Sequence, residues 1–226
     1  CDALVVNAGD ITATSSANGY YGASGIVAFA GNGAAAVSNT GNVTATSSAF
    51  IGASAHGVDV QGQQGATVYN SGSIYANGKY SAYAVSAISA AGDVGVNNTA
   101  AGQIGFYSFG GNGFGILGVA YTGDVAVVNA GTIEGYAFGQ SSGVFAHASV
   151  GNAGVSNTGH ITVVSGNNPA VGIFARANNG TATVVNSGDI SSTSGSALYS
   201  GTDAYGIMAR GGYTQVGNSG NIQANG

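Results

Sequence analysis

Val184-Val185-Asn186-Ser187-Gly188-Asp189-Ile190 decides the fold of this chain, because the pattern Val-x-Asn-x-Gly-x-Ile returns seven more times with small variations. Its Asn stands at Asn7, Asn39, Asn70, Asn98, Asn129, Asn157, Asn186 and Asn218, at intervals of 28 to 32 residues. Self-similarity at a period near 30 residues marks a solenoid, in which one unit cannot bury its apolar face alone and does so by stacking on its neighbours. A second motif, a small residue followed by Ile or Val, lies between successive Asn motifs: Gly25-Ile26, Gly57-Val58, Ala84-Val85, Gly115-Ile116, Gly143-Val144, Gly172-Ile173 and Gly206-Ile207. Each unit therefore holds three short apolar runs, such as Ile161-Thr162-Val163, Gly172 to Arg176 and Thr181 to Val185. β-Branched residues in alternation, bounded by Gly, Asn and Ser, read as strands, and no stretch has helical spacing over ten residues. The expected fold is all-β: a right-handed parallel β-helix (β-solenoid) with three strands per turn and about 30 residues per turn, residues 1–226 forming one domain. About seven and a half turns at one strand spacing each would run roughly 36 Å.

Period two along a strand assigns the faces. The residue two before each Asn is Val in all eight units (Val5, Val37, Val68, Val96, Val127, Val155, Val184, Val216), and the branched residue after the motif glycine is Ile11, Val43, Ile74, Ile104, Ile133, Ile161, Ile190 or Ile222. These files, with Ala beside them, predict a narrow dry core, where cutting a Val to Ala costs roughly 1 to 3 kcal/mol. The Asn shares the inward face of its Val at the point where the chain turns. Stacked at about 4.8 Å, each amide can bond the next in a ladder; the plainer alternative is that Asn-x-Gly is good turn chemistry. The motif glycine is expected at positive φ, and Asn98-Thr99-Ala100-Ala101-Gly102, which has two extra residues, is expected to bulge.

Composition bounds the function. The chain has 42 Gly, one Pro, no Trp and 5% charged residues against the roughly 25% of ordinary domains. At 44% hydrophobic, with Val and Ile in register, it is not a disordered chain. Three basic residues, Lys79, Arg176 and Arg210, against eight acidic ones cannot build a phosphate-binding stripe, so nucleic acid is not an expected partner. No apolar run approaches the roughly 18 residues of a membrane span, and no basic stretch with an apolar core opens the chain. The one cysteine, Cys1, rules out internal disulfides; it reads either as a lipidated mature terminus or as the end of a trimmed fragment. The triplets beginning at Asn42, Asn97 and Asn179 fit glycosylation acceptors but arise by chance in so Asn- and Thr-rich a chain.

Length varies mainly between each Asn and the next Gly-Ile run, hence at one corner, in Thr14 to Ser24, Thr46 to His56, Tyr107 to Phe114 and Thr193 to Tyr205. Loops on a rigid scaffold are where binding tends to reside. Counting outward from the Gly-Ile run aligns Leu117, Phe145, Phe174 and Met208 in one file, with His147, Arg176 and Arg210 beside them. An apolar stripe with a basic margin is an interface candidate; the alternative is that the protein's own loops cover it. The outward file Asp10, Asn42, Ser73, Gln103, Thr132, His160, Asp189, Asn221 is polar and expected in solvent. Thr12, Thr44 and Thr162 begin a regular Thr file, but Tyr75, Gly105 and Glu134 interrupt it. Asp93 and Asp124 fall five before their Asn on adjacent turns, with Asn152 next; they either bridge a cation such as Ca²⁺ or end strands in solvent. The remaining carboxylates and the histidines His56, His147 and His160 do not cluster, and no zinc spacing, nucleophile elbow or phosphate loop is present. No catalytic residue, metal or cofactor is therefore expected.

Repeats of the form Val-x-Asn-x-Gly-x-Ile followed by a Gly-Ile run resemble, over the whole chain, the passenger regions of bacterial autotransporters and related large surface adhesins. The resemblance implies a parallel β-helix on the bacterial cell surface, serving as adhesin, aggregation factor, filament or enzyme stalk. The chain starts in a strand that leads to an Asn and stops after a motif strand, without caps. It thus reads as a segment of a larger protein or as a subunit of a polymer. The expected function is that of an extracellular, non-enzymatic adhesin or structural filament. Its partners would be copies of itself, lateral or end to end, or a host or cell-surface glycan or protein. The alternative is a glycan-active β-helical enzyme, a polysaccharide lyase or hydrolase using Asp93 or Asp124.

Overall fold

The computed structural model describes residues 1–16, 22–48, 52–195 and 203–226, among which every strand pairing is parallel and no helix occurs. The chain winds into a β-solenoid of about seven coils of roughly 30 residues. Runs that follow the motif glycine form an eight-stranded sheet, from Ile11–Ser15 through Asn42–Ser47, Ser73–Gly78, Gln103–Ser108, Thr132–Ala137, His160–Ser165 and Ile190–Ser194 to Ile222–Asn225. Runs that lead to an Asn and runs that begin at Gly-Ile belong to a 13-stranded sheet, and its two series join in Ala170–Asn186, a 17-residue strand that carries both. Pairing joins like with like. Val127 lies between Val96 and Val155, and Val184 follows Val155.

The core is the set of vertical files that the repeat implies. Val37, Val68, Val96, Val127, Val155 and Val184 are buried, as are Val43, Ile74, Ile104, Ile133, Ile161 and Ile190. Branched side chains suit the pleated inner face of these strands, whose alternate residues face outward. At the last coil the same files have a neighbour on one side only, so Val216 is 51% and Ile222 41% exposed.

The eight Asn form a continuous directional ladder. Each Nδ2 donates to Oδ1 of the Asn one coil on, over 2.7–2.8 Å from Asn7 to Asn218. Its other hydrogen goes to the carbonyl of its own motif glycine, as from Asn39 to Gly41 (2.9 Å) and Asn186 to Gly188 (2.8 Å). From Asn39 to Asn186 the ladder residues are at most 1% exposed, so amides that would be costly to bury alone satisfy one another and the turn backbone.

The motif glycine departs from expectation. Among the described residues positive φ occurs only at Gly52 and Gly65, and not at any motif glycine. Glycine is required there for space: a Cβ on Gly72, Gly131, Gly159 or Gly188 would fall onto the carbonyl oxygen of the motif glycine one coil back. In the long unit the extra residues close a turn, with Gly102 N–H bonded to the Thr99 carbonyl (2.9 Å), and Asn98 still reaches Gly102. Register is kept on both sides.

The small residue of the Gly-Ile motif also has a steric cause. A Cβ on Gly57, Gly115, Gly143 or Gly172 would meet the Cγ2 methyl of Ile74, Ile133, Ile161 or Ile190 within 2.5 Å. One coil adjusts further: Phe106 occupies a file otherwise held by Ala, Gly, Val and Ser, and its buried ring takes the space left by Gly135 on the next coil and by Gly113 beside it.

Candidate functional site

At the Gly-Ile motif the glycine and the Ile or Val after it both face the interior, the first against the motif-strand Ile and the second in the core. Two successive inward positions break the strand alternation, so the outward side chains on either side of the break converge instead of running parallel. Before the break the outward file reads Ser24, His56, Tyr83, Phe114, Ser142, Val171, Tyr205; after it, Val27, Asp59, Ser86, Leu117, Phe145, Phe174, Met208.

Aromatic rings run along this bend. His56 stacks on Tyr83 (4.8 Å between centroids, 15°) and Tyr83 on Phe114 (5.4 Å, 5°). The run then crosses the bend: Phe114 meets Phe145 edge-on at 5.8 Å, and Phe145 meets Phe174 edge-on at 5.0 Å. These are the separations and tilts that aromatic quadrupoles favour. Ser142 and Val171, the next members of the first file, are buried where the second file's rings take over. Leu117, Phe145, Phe174 and Met208 are in register as expected, half-buried, and His147, Arg176 and Arg210 form the adjacent file. Counting residues found that stripe but not the His56, Tyr83, Phe114 file. Strict alternation back from the inward Ile turns that position into the core; the one available signal was its constant place, one residue before each small residue.

Polar atoms are held inside the bend. His56 Nδ1 and Asp59 Oδ1 are buried without a hydrogen-bond partner among the described residues, while Asp59 Oδ2 accepts from Gln61 Nε2 (2.9 Å). Burial pushes His56 below the usual histidine range, with the Asp59 carboxylate pulling the other way. His147 Nε2 is likewise buried and unpartnered, and burial together with the Arg176 guanidinium pushes this histidine down, partly offset by Asn178. Arg176 Nε donates to Asn178 Oδ1 (2.8 Å).

The other candidate groups lie apart from this bend. Asp93 Oδ1 accepts the backbone N–H of Asp124 (2.9 Å), and Asp124 Oδ1 that of Asn152 (2.7 Å). Asn152 Oδ1 in turn accepts from Thr181 N–H (2.9 Å). Asp93 and Asp124 are exposed and stand just before the strands Val94–Asn98 and Val125–Asn129, strand ends in solvent whose side chains also cap the backbone of the following coil. No group of three or more His, Cys, Asp or Glu among the described residues could hold a metal ion. On the eight-stranded sheet Asp10, Asn42, Gln103, His160, Asp189 and Asn221 are exposed as expected, and Ser73 and Thr132 are half-buried. Asn42 donates to Asp10 (2.8 Å), Asn221 to Asp189 (2.9 Å), and His160 lies 3.5 Å from Asp189. Of the corner segments, residues 17–21, 49–51 and 196–202 lie outside the described residues; Tyr107 to Phe114 is described throughout. No described helix is long and apolar enough to cross a membrane. Comparison with known protein families, with curated proteins and with solved structures found no match for this chain.

Proposed function

We propose that this chain is an extracellular, non-enzymatic β-solenoid that acts as a bacterial cell-surface adhesin or structural filament, associating with copies of itself through the outer face of the Gly-Ile bend. The single observation that carries the reading is the run of rings from His56 through Tyr83, Phe114 and Phe145 to Phe174, continued by Met208 and edged by His147, Arg176 and Arg210. Aromatics and Arg are the residues from which protein interfaces draw most of their binding energy. The repeat resembles autotransporter passengers, and that likeness supports the bacterial cell surface as the location. We take the solenoid to be right-handed, the hand of nearly all parallel crossover connections. The three apolar runs of each unit count as three strands per coil. The enzymatic alternative would need Asp93 or Asp124 as an active carboxylate, and both are engaged with backbone N–H groups.

Sedimentation velocity over a hundredfold concentration range, with electron microscopy of the same samples, tests the reading. The protein is expected to assemble with rising concentration and Phe174→Asp to remain monomeric with an unchanged far-ultraviolet spectrum. A wild-type chain that stays monomeric throughout, or assembly unchanged by Phe174→Asp, would refute association through this face.

A further inference from the structure

The eight-stranded sheet bears a different feature on its outer face, away from the Gly-Ile bend. Three outward files meet there across three coils: Ser73, Gln103 and Thr132; Tyr75, Gly105 and Glu134; Asn77, Tyr107 and Tyr136. The central file is the one in which Thr12, Thr44 and Thr162 are regular and these three residues are not. Gly105 contributes no side chain; the Tyr75 ring leans over it, 2.7 Å from where a Cβ would stand, and a hollow is left between that ring and Glu134, whose backbones lie two strand spacings or about 9.6 Å apart. The hollow measures about 400 Å³ and is edged by Ser73, Gln103 and Thr132. That volume lies within the roughly 300–1,000 Å³ of small-ligand sites. Tyr107 stands next to it, its ring stacked on Tyr136 at 5.2 Å.

The lining has a definite chemistry. Tyr75, 38% exposed, supplies an aromatic surface and a phenol. Burial and the neighbouring Tyr107 both raise its ionisation, so the phenol stays a donor at neutral pH. Glu134 is exposed and accepts only; Gln103 both donates and accepts, as do the hydroxyls of Ser73 and Thr132. None of Lys79, Arg176 and Arg210 lines the hollow, so an anionic ligand would meet Glu134 with no compensating charge. A peptide laid on the face of a sheet finds no free backbone groups to pair with, because the neighbouring strands already use them. A ligand dense in hydroxyl groups, uncharged, and with one apolar face fits every group present.

We propose that Tyr75, Gln103, Gly105 and Glu134 form a subsite for one ring of a neutral glycan, with Tyr107 extending it along the strand. The subsite is independent of self-association, since it uses a different sheet and none of the residues of the bend. Calorimetric titration of the whole 226-residue chain with cellohexaose, mannohexaose and chitohexaose, and with hexagalacturonate as an anionic probe, tests it. At least one neutral hexasaccharide should bind, and more tightly than hexagalacturonate. Gly105→Thr fills the hollow and pushes aside the Tyr75 ring, whose edge lies 2.7 Å from the new Cβ; binding should fall at least about tenfold. Glu134→Gln and Gln103→Ala, both at exposed positions, should each weaken it by about three- to tenfold. Phe174→Asp should leave sugar binding unchanged even where it abolishes assembly, which separates failure of this subsite from failure of the self-association face. Absence of binding by all three neutral probes, tighter binding of hexagalacturonate, or Gly105→Thr, Glu134→Gln and Gln103→Ala all binding as the wild type would overturn the proposal.

Discussion

Asn129→Ala removes one rung from the middle of the ladder, and the structure fixes what is lost. Asn129 is fully buried; its Nδ2 donates to Asn157 Oδ1 (2.7 Å) and to the Gly131 carbonyl (3.2 Å), and its Oδ1 accepts from Asn98 Nδ2 (2.8 Å). Gly131 keeps its bond from His160 N–H (3.1 Å), and Asn98 keeps its bond to Gly102 (3.3 Å). What remains unpaired is one hydrogen on Asn98 and the Oδ1 of Asn157, both out of reach of water. Each of the two buried orphans costs about 1–3 kcal/mol, so the variant should lose about 2–6 kcal/mol. Asn218, exposed at the end of the stack, provides the control: water can replace its bonds, and Asn218→Ala should cost about 1 kcal/mol or less. Guanidinium unfolding at a constant slope gives both numbers. Because a long stack can open in sections, amide exchange at Thr158, bonded to the Asn129 carbonyl, reads the central coil separately. If Asn129→Ala costs no more than Asn218→Ala, the ladder is turn chemistry and not a stabilising core element.

Phe106→Ala should cost about 3–5 kcal/mol, and Gly135→Ala alone should also destabilise because its Cβ collides with the Phe106 ring; the double variant should be more stable than the sum of the two by about 0.5–3 kcal/mol, and strict additivity in a denaturation cycle would refute the packing. Gly159→Ala places a Cβ on the Gly131 carbonyl and should lose about 1–3 kcal/mol or more, whereas Gly154→Ala, whose nearest contact is 3.8 Å, should change the midpoint by less than about 1 kcal/mol. His56 and His147 both have folded-state ionisation pushed below the ordinary value near 6.5, so the unfolded chain binds more protons and stability is lost as pH falls through and below that value. Thermal midpoints should therefore drop between pH 7.5 and pH 5, and a His56→Gln/His147→Gln variant should lose less; a wild-type midpoint that is flat or rises on acidification counts against the burial of these rings.

The sequence by itself determined the stack. In a solenoid a residue one period away is a spatial neighbour, so the spacing of Asn98, Asn129 and Asn157 and of Val96, Val127 and Val155 is a contact map written along the chain. The files of Leu117, Phe145 and Phe174 and of His147, Arg176 and Arg210 followed from the same count. What only the tertiary structure decided concerns places where alternation fails or where backbone from the next coil intervenes. The inward pair at Gly115 and Ile116 reverses strand parity, which brings Phe114 against Phe145 from a file that alternation assigns to the interior. The motif glycines answer to a carbonyl overhead and not to their own φ, and Asp93 and Asp124 answer to backbone N–H groups of the following coil. The interruption of the Thr file by Tyr75, Gly105 and Glu134 was visible in the letters, but that it forms a hollow depends on where the Tyr75 ring lies. One-dimensional periodicity specifies which residues are neighbours; the direction of each side chain and the volume left between them are set by the backbone of the adjoining coils.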